Sequence, residues 1–347
     1  MLPARMEQAG GILRVIDFGE ASPLRSQTLW HAVAYGVSRG APATLSFVRP
    51  AAPYVSIGRT RSPWEVDLAY CGRAGLPVYR RMVGGGPVYL DPRQLFFQIT
   101  VPARWAPPAR QQALRALLSP AVRAFQAVGV PAALDSYGEV VVDDRKISGH
   151  AGGQVEEAVV VVGNLIEEFC PERAARILNL PHPRVREEVE RRIRRYVLAT
   201  PANPEGFKAA LTRSYADALG LPPQAGELSA FERATVGELD RLFGSRRWLW
   251  EVDGSPKGTW YVKIRAGVWV CAVQVGRGLV VASGAAGRVV DVAPVGGIAP
   301  RARDGLAGLV AGVKGAGIEE AVRRLQAWGE DGSRLAGAWS RAAALAV

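Results

Sequence analysis

Lysine, cysteine and histidine are all scarce in this sequence. Only five of its 43 basic residues are lysine, and 347 residues contain three cysteines and three histidines. Cys71, Cys170 and Cys271 lie far apart and form no CxxC pair, so the pattern predicts neither a disulfide framework nor a zinc site. Because arginine fills most basic positions, a lysine inside a motif is more informative here than usual.

Long apolar runs are also lacking. The apolar runs at 158–162 and 268–273 have the length of a strand, far below the roughly 20 residues that span a membrane. The N-terminal segment MLPARMEQAGG contains no apolar signal core. These features predict a cytoplasmic protein with reduced thiols and no membrane partner.

The composition indicates a folded chain of two domains. Hydrophobic residues make up 48% and charged residues 22%, which excludes a disordered or coiled-coil protein. The net charge of +11 favours anionic partners without specifying them. A loop-like segment, LPPQAG at 221–226, predicts a boundary between a first domain at 1–225 and an accessory domain at 226–347.

Strand-like and helix-like patterns alternate along the first domain. They predict an α/β fold with a mixed β-sheet flanked by helices, including helices at 26–36, 109–129 and 184–195. The second domain is predicted as a small α+β unit. Its predicted elements are helices at 236–242 and 318–328 and strands at 248–252, 260–265, 268–275 and 279–283.

The densest motif is YRRMVGGGPVYLD at 79–91. Consecutive glycines allow backbone N–H groups to converge on a ligand, and Arg80 and Arg81 add fixed positive charge. The motif indicates an anion site, with a tight hairpin turn bearing surface arginines as an equal alternative. It is neither a dinucleotide fingerprint nor a P-loop, because GxGxxG and GK[ST] are both missing.

A second motif, EVVVDDRKISGHA, occupies 139–151. A lysine fixed at a turn, as Lys146 is, neutralises a phosphate or carboxylate oxygen as charge develops. Glu139 is a candidate ligand for Mg²⁺ next to a phosphate. The alternatives are a surface lysine and a carboxylate on a strand face.

Together the two segments resemble the lipoate–protein ligases of the biotin/lipoyl ligase superfamily. The family pattern is RRxSGGGAVxHD followed by [GR]KISG[SN]A. The matching residues are Arg80, Arg81, Gly84, Gly85, Gly86, Val88, Asp91, Lys146, Ile147, Ser148, Gly149 and Ala151. The resemblance is specific over about the first 170 residues and looser in the accessory domain.

This resemblance implies that ATP and Mg²⁺ activate lipoate as lipoyl-adenylate, which then acylates a lysine of a lipoyl carrier. The implied carriers are a 2-oxo acid dehydrogenase acyltransferase subunit, a glycine-cleavage H protein or a dedicated lipoate-binding protein. Lys146 is implied as the catalytic residue and Glu139 as the metal ligand. The residues implied around lipoate and ATP are Arg80, Arg81, Gly84, Gly85, Gly86, Pro87, Val88, Tyr89, Lys146, Gly149, His150 and Ala151.

Several positions depart from the family pattern and indicate a divergent branch. His150 replaces a small residue, and it either touches the adenylate or is a satisfied polar side chain. An apolar tunnel for the acyl chain is predicted from Val83, Val88 and Phe97, with ordinary core packing as the alternative. The other substitutions are Val83 for serine, Pro87 for alanine, Leu90 for histidine and Gly138 for the metal-site asparagine.

Two other functions fit the same sequence. An octanoyl-carrier transferase needs no ATP but requires a cysteine near Lys146. Segment 131–137 contains no cysteine, and Cys170 is a weak candidate better explained as an inert thiol. A non-catalytic carrier-binding homologue is the other alternative.

The arginine-rich segment 184–195 suits an acidic carrier domain or a solvated helix face with internal Glu–Arg pairs. Its interleaved glutamates and its lack of aromatic side chains argue against a nucleic-acid partner.

Overall fold

The computed structural model describes residues 11–255, 257–298, 312–326 and 329–346. The protein divides into two compact units, each built from two stretches of chain. The first unit comprises Met1–Cys170 and Val197–Asp253, and the second comprises Pro171–Tyr196 and Gly254–Val347. The boundary predicted at 225/226 therefore falls inside the first unit, and a segment predicted to belong to the first domain belongs to the second unit.

The helices and strands are numbered in chain order. The helices are α1 (Arg25–Ser38), α2 (Leu68–Arg73), α3 (Arg110–Ala127), α4 (Pro171–Arg176), α5 (Pro183–Tyr196), α6 (Pro204–Leu219), α7 (Ala230–Phe243), α8 (Arg246–Leu249), α9 (Ile318–Gln326) and α10 (Gly329–Ala346). The strands of the first unit are β1 (Leu13–Ala21), β2 (Thr44–Pro50), β3 (Tyr54–Ile57), β4 (Val78–Arg80), β5 (Val88–Leu90), β6 (Gln94–Pro102), β7 (Ala133–Leu134), β8 (Val140–Val142), β9 (Arg145–Lys146), β10 (Ala151–Val155), β11 (Ala158–Ile166) and β12 (Pro223–Ala225). Those of the second unit are β13 (Thr259–Arg265), β14 (Val268–Val275), β15 (Arg277–Ala285) and β16 (Arg288–Gly297).

A six-stranded sheet in the order β10-β11-β6-β2-β1-β12 forms the centre of the first unit. Strand β1 is parallel to β2 and β12, whereas the remaining neighbours are antiparallel. Side chains alternate across this sheet, so α3 and α6 share one core with Phe97 and Ile99. Helix α1 packs in separate clusters that contain Val160 and Ile16. The prediction of a mixed sheet flanked by helices is confirmed.

Helix α7 belongs to the first unit because a buried ion pair ties it to β1. The Arg14 guanidinium donates to both carboxylate oxygens of Glu232, at 2.9 and 2.5 Å, and also to Thr44. The Glu232 side chain is fully buried and also accepts the Ser229 N–H in a capping box. The ion pair between Arg14 and Glu232 therefore joins the first strand of this unit to a helix more than 200 residues later.

The prediction of a strand at 248–252 is wrong, because this segment begins inside a short helix. The Ser245 hydroxyl accepts the Trp248 N–H at 3.2 Å and starts the short helix α8 there. The Trp248 ring stacks on Phe243 with centroids 5.6 Å apart. A run of apolar aromatic residues was compatible with both a strand and one helical turn, and the serine cap decides between them.

The second unit has an antiparallel sheet in the order β13-β14-β15-β16. Trp339, Leu335 and Leu325 from α10 and α9 pack on it in one core. Helix α9 ends at Gln326, and the last two residues of the predicted helix 318–328 lie outside the described part of the chain.

Helix α5 carries the narrow buried stripe predicted for it, since Val185, Val189 and Ile193 are all buried. Arg192 is also buried, and it donates to Glu188 at 2.7 Å and to Ser283 at 2.8 Å. Arg191 pairs with Glu188 and with Asp291. Internal pairs with Glu188 are present as the solvated-face alternative expects, but Arg192 is buried and both arginines also bind residues of the sheet in the second unit.

Candidate active site

The glycine loop, residues 82–87 between β4 and β5, is held against the segment that follows β3. A methyl group on Gly58 would lie 2.0 Å from the Gly85 carbonyl oxygen, so the two backbones approach as closely as glycine alone permits. Gly85 has a φ of +102°, a conformation that favours glycine. Gly85 and Val88 are exposed at the loop, whereas Tyr89 beside them is buried.

Arg81 lies beneath this loop and holds its shape. Its guanidinium donates to the carbonyls of Gly84 at 2.8 and 3.0 Å, Gly86 at 3.0 Å and Ser56 at 2.9 Å. Burial lowers its pKa to about 10, so the group stays charged at neutral pH. Since Nε and both terminal nitrogens already donate to carbonyls, the side chain acts on the loop backbone.

Arg80 is fully buried and, like Arg81, donates hydrogen bonds to backbone carbonyls. It donates to three carbonyls in the segment 58–61, and to the carbonyls of Trp248 at 2.9 Å and Leu249 at 2.6 Å. The arginine pair predicted as an anion site therefore anchors the glycine loop to its surroundings.

His31 on α1 fixes the start of the glycine loop, and the sequence patterns did not single it out. Its Nδ1 lies 2.6 Å from the Gln27 carbonyl and its Nε2 accepts the Met82 N–H at 3.2 Å. These two contacts require a neutral ring with the proton on Nδ1. Complete burial lowers the pKa of His31 to about 3, which keeps the ring neutral.

Lys146 ends a small three-stranded hairpin sheet, β7-β8-β9. It pairs across the hairpin with Val141, and the intervening turn places Asp143 and Asp144 at positive φ. On its other side the Lys146 carbonyl accepts the Leu198 N–H at 2.8 Å. The backbone of the lysine is thus held from two sides.

The side chain of Lys146 meets Glu139 and His150. Its Nζ lies 2.8 Å from Glu139 Oε2, and His150 Nδ1 lies 3.6 Å from the same oxygen. Burial acts to raise the pKa of Glu139, but Lys146 and His150 outweigh it and hold that pKa well below its usual range. Burial lowers the pKa of His150 despite the opposing effect of Glu139, so the imidazole is neutral at neutral pH.

This arrangement does not fit a protein-bound Mg²⁺. Magnesium requires near-octahedral oxygen ligands at 2.0–2.1 Å. Glu139 already faces an ammonium and an imidazole, and Gly138 supplies no side chain at the neighbouring position. In the described residues no three His, Cys, Asp or Glu side chains are grouped as a metal site.

Asn164 on β11 was not predicted, although it connects the two motifs. Its Oδ1 accepts the Gly149 N–H at 2.6 Å, and its backbone N–H donates to Ser148 Oγ at 3.1 Å. Its Nδ2 donates to Gln94 Oε1 at 2.9 Å, and Gln94 in turn donates to the Tyr89 carbonyl at 3.4 Å. A buried polar chain therefore runs from the lysine motif to the end of the glycine motif.

The two motifs also touch through apolar contacts. Val83 is buried in a cluster with Trp30, and Ala151 packs against the same cluster. A methyl group on Gly153 of β10 would lie 3.2 Å from Val83 Cγ1. Val83 of the glycine motif therefore lies beside Ala151, which ends the lysine motif, and beside Gly153 just after it.

The predicted apolar tunnel is not formed by the three residues proposed for it. Val83 packs beside Trp30, whereas Phe97 is fully buried in the other core against Phe207. Val88 is 39% exposed. The alternative of core packing holds for Val83 and Phe97.

The three cysteines form no disulfide. Cys71 and Cys271 are buried, in α2 and β14, and Cys170 is half-buried just beyond β11. Within the described residues no helix is long and apolar enough to cross a membrane.

Residues 24–211 match the family model described as the lipoyl protein ligase A/B catalytic domain. The match spans more than half of the chain and contains both motifs, and the chain belongs to this family. The family acts on lipoyl-type acyl chains, and the biotin/lipoyl ligase fold is confirmed.

Relatives of two kinds are similar to this chain. The octanoyltransferase LipM of Kyrpidia tusciae is 26% identical over 267 residues, covering 68% of this chain and 97% of the relative. The probable lipoate-protein ligase A of Mycoplasma pneumoniae is 25% identical over 258 residues, covering 70% and 73%. A bi-partite lipoate protein ligase from Thermoplasma acidophilum, solved in a study that includes its E2 lipoyl domain, shares the fold with a TM-score of 0.65 and 20% identity, covering 71% of this chain and 99% of that one.

Proposed function

We propose that this protein activates lipoate, or a related acyl chain, with MgATP and transfers the acyl group to a lysine of a lipoyl carrier domain. The observation that supports this most is the pairing of Lys146 with Glu139 in a motif that hydrogen bonds through Asn164 and Gln94 connect to the end of the glycine motif. A half-buried ammonium in that position suits a phosphate and a carboxylate that react with each other.

In the first step, a carboxylate oxygen of the acyl substrate attacks the α-phosphorus of ATP, and pyrophosphate leaves. In the second step, the neutral ε-amine of the carrier lysine attacks the acyl carbonyl, loses a proton, and AMP leaves. Lys146 contacts the carbonyl and the α-phosphate, which carry negative charge in both steps.

The remaining predicted site residues divide into two groups. The residues proposed to surround the adenylate are Gly84, Gly85, Gly86, Pro87, Val88, Tyr89, Gly149, His150 and Ala151. Arg80 and Arg81 hold the glycine loop from below, where their donors already bind backbone carbonyls. Magnesium enters this scheme with the nucleotide substrate.

The proposed partner is an acidic lipoyl carrier domain. The chain carries a net charge of +11, which attracts an acidic domain and raises its association rate. The Thermoplasma acidophilum ligase, which shares the fold, was studied together with its E2 lipoyl domain.

The second candidate is transfer of octanoyl or lipoyl groups between carriers without ATP, which the similarity to an octanoyltransferase favours. That reaction passes through a cysteine thioester. Segment 131–137, which leads into the lysine hairpin, contains no cysteine, so Cys170 is the candidate thiol for this route.

ATP–pyrophosphate exchange separates these functions. The purified protein is assayed with lipoate and with octanoate, and in parallel with an octanoyl carrier, an acceptor carrier and no nucleotide. Exchange that depends on the acid is expected. Carrier-to-carrier transfer without exchange would instead establish the transferase, and neither activity with retained carrier binding would establish the non-catalytic homologue.

A further inference from the structure

Glu139 stands where the family resemblance implies a metal ligand, but its surroundings are those of an ion-pair partner. Its side chain is 11% exposed and that of Lys146 is 16% exposed, so water screens the pair weakly. Nζ and Oε2 lie 2.8 Å apart, so the two side chains form a direct ion pair.

His150, the third side chain of the group, makes the surroundings of Glu139 less suitable for a metal cation. His150 Nδ1 approaches the same oxygen to 3.6 Å, and its side chain is 4% exposed. A divalent cation on Glu139 would have to displace the ammonium from this oxygen or share it with two nitrogen groups. Gly138, at φ +84°, offers no side-chain oxygen to complete a coordination shell.

We propose that Glu139 is a positioning residue that orients the ammonium of Lys146 toward the reacting phosphate and carbonyl, and that it binds no metal. The role assigned to Lys146 rests on the proposed function. The side-chain length supports the assignment, because Glu139 lies seven residues before Lys146 and immediately before β8, at the base of the hairpin. A carboxylate at this position must extend across the hairpin to contact Lys146 Nζ. Glutamate is one methylene longer than aspartate and therefore reaches further.

The first test measures metal binding with Mn²⁺ by electron paramagnetic resonance, without nucleotide. Wild type and Glu139→Gln should show the same absence of protein-bound Mn²⁺. In pyrophosphate exchange, Glu139→Gln should lower the rate by less than the roughly 10²–10³-fold expected for loss of the Lys146 contact itself, with an unchanged Mg²⁺ requirement. Mn²⁺ bound by wild type and lost in the variant, or a raised Mg²⁺ requirement, would overturn the proposal.

The second test needs no activity and therefore stays decisive if the proposed function fails. Unfolding midpoints are compared for Glu139→Gln, Lys146→Met and the double variant. Each single change leaves a buried group without its partner, so each should lower the unfolding midpoint. The decrease in the double variant should be smaller than the sum of the two single decreases. Simple addition of the two shifts would show that the side chains do not interact and would reject the positioning role.

A matched control is available in the Glu205–Lys208 pair, whose atoms lie 2.9 Å apart on the exposed side of α6. Glu205→Gln removes the same charge from another glutamate–lysine pair. It should leave both the exchange rate and the Mg²⁺ requirement at wild-type values. A loss equal to that of Glu139→Gln would show that the effect comes from charge alone, which would also reject the proposal.

Discussion

Asn164 Oδ1 accepts the Gly149 N–H at 2.6 Å, which fixes the backbone three residues after Lys146. Asn164→Leu keeps the size but removes this acceptor and the donor to Gln94. We expect a stability loss of about 1–3 kcal/mol together with a raised KM for the acyl substrate. Steady-state kinetics and urea unfolding measure the two effects.

Gln98→Leu is the matched control, because Gln98 is a fully buried amide that accepts from Ser46 on the adjacent strand. This change should cost stability without changing KM. Equal KM values for wild type and Asn164→Leu would show that Asn164 has a purely structural role.

Lys146→Ala should stop both adenylate formation and carrier modification. Loss of one contact that stabilises transition-state charge costs roughly 10²–10³ in rate. Pyrophosphate exchange and mass spectrometry of the carrier measure the two steps, with Lys208→Ala as a control at an ion-paired lysine elsewhere. Normal carrier modification by a folded Lys146→Ala protein would refute the assigned role.

Cys170→Ala should remain active, since the adenylate route needs no thiol. The test compares carrier modification by the variant and by wild type at equal folded concentration. Acid quenching followed by mass spectrometry searches wild type for an acyl-thioester. An inactive but folded variant, with a thioester trapped on wild type, would favour the transferase instead.

Arg81→Lys should loosen the glycine loop even though it keeps the positive charge. Lysine lacks the planar fork that reaches the carbonyls of Gly84, Gly86 and Ser56 together. One buried carbonyl left unsatisfied costs about 1–3 kcal/mol, and the KM for ATP should rise. Arg93→Lys, at an exposed arginine, should change neither quantity, and an unaltered Arg81→Lys protein would contradict this explanation.

The lowered pKa of His31 should make the free energy of unfolding decrease in mild acid. Its pKa is about 3 in the folded chain and 6.5 as the reference value, so between these limits the unfolded state binds more protons. The unfolding free energy therefore falls as the pH falls below 6.5, with a limiting slope of about 1.4 kcal/mol per pH unit. Urea unfolding from pH 7 to pH 5 should show a shallower decline for His31→Gln than for wild type, and parallel declines would reject the assignment.

Local patterns were sufficient for most of the predicted elements, though not for the segment 248–252, and for recognising the two motifs. Helical spacing predicted the helix at 109–129, observed as α3, and the glycine and lysine motifs were each recognisable from contiguous residues. These features depend on residues close in sequence, where periodicity and turn chemistry decide the structure.

Long-range partners could not be predicted in this way. His31 contacts Met82, and Asn164 contacts Gly149 and Gln94, only because the sheet brings distant segments together. The two arginines were read as ligands because their charge is visible in the sequence, whereas the carbonyls that occupy them are backbone atoms that every residue has. Likewise, nothing near 184–195 indicates that its partners are Ser283 and Asp291.

The second unit is built from two stretches of chain that are separated in sequence, so its parts are synthesised at different times. Helix α5 leaves the ribosome well before the strands that complete its unit, β13–β16, have been synthesised. At roughly 5–20 residues per second, its apolar stripe waits several seconds for a permanent partner. Arginine and glutamate on its other faces favour hydration of the helix during this time, and a chain stopped at Asp253 would contain α5 without any strand of its unit.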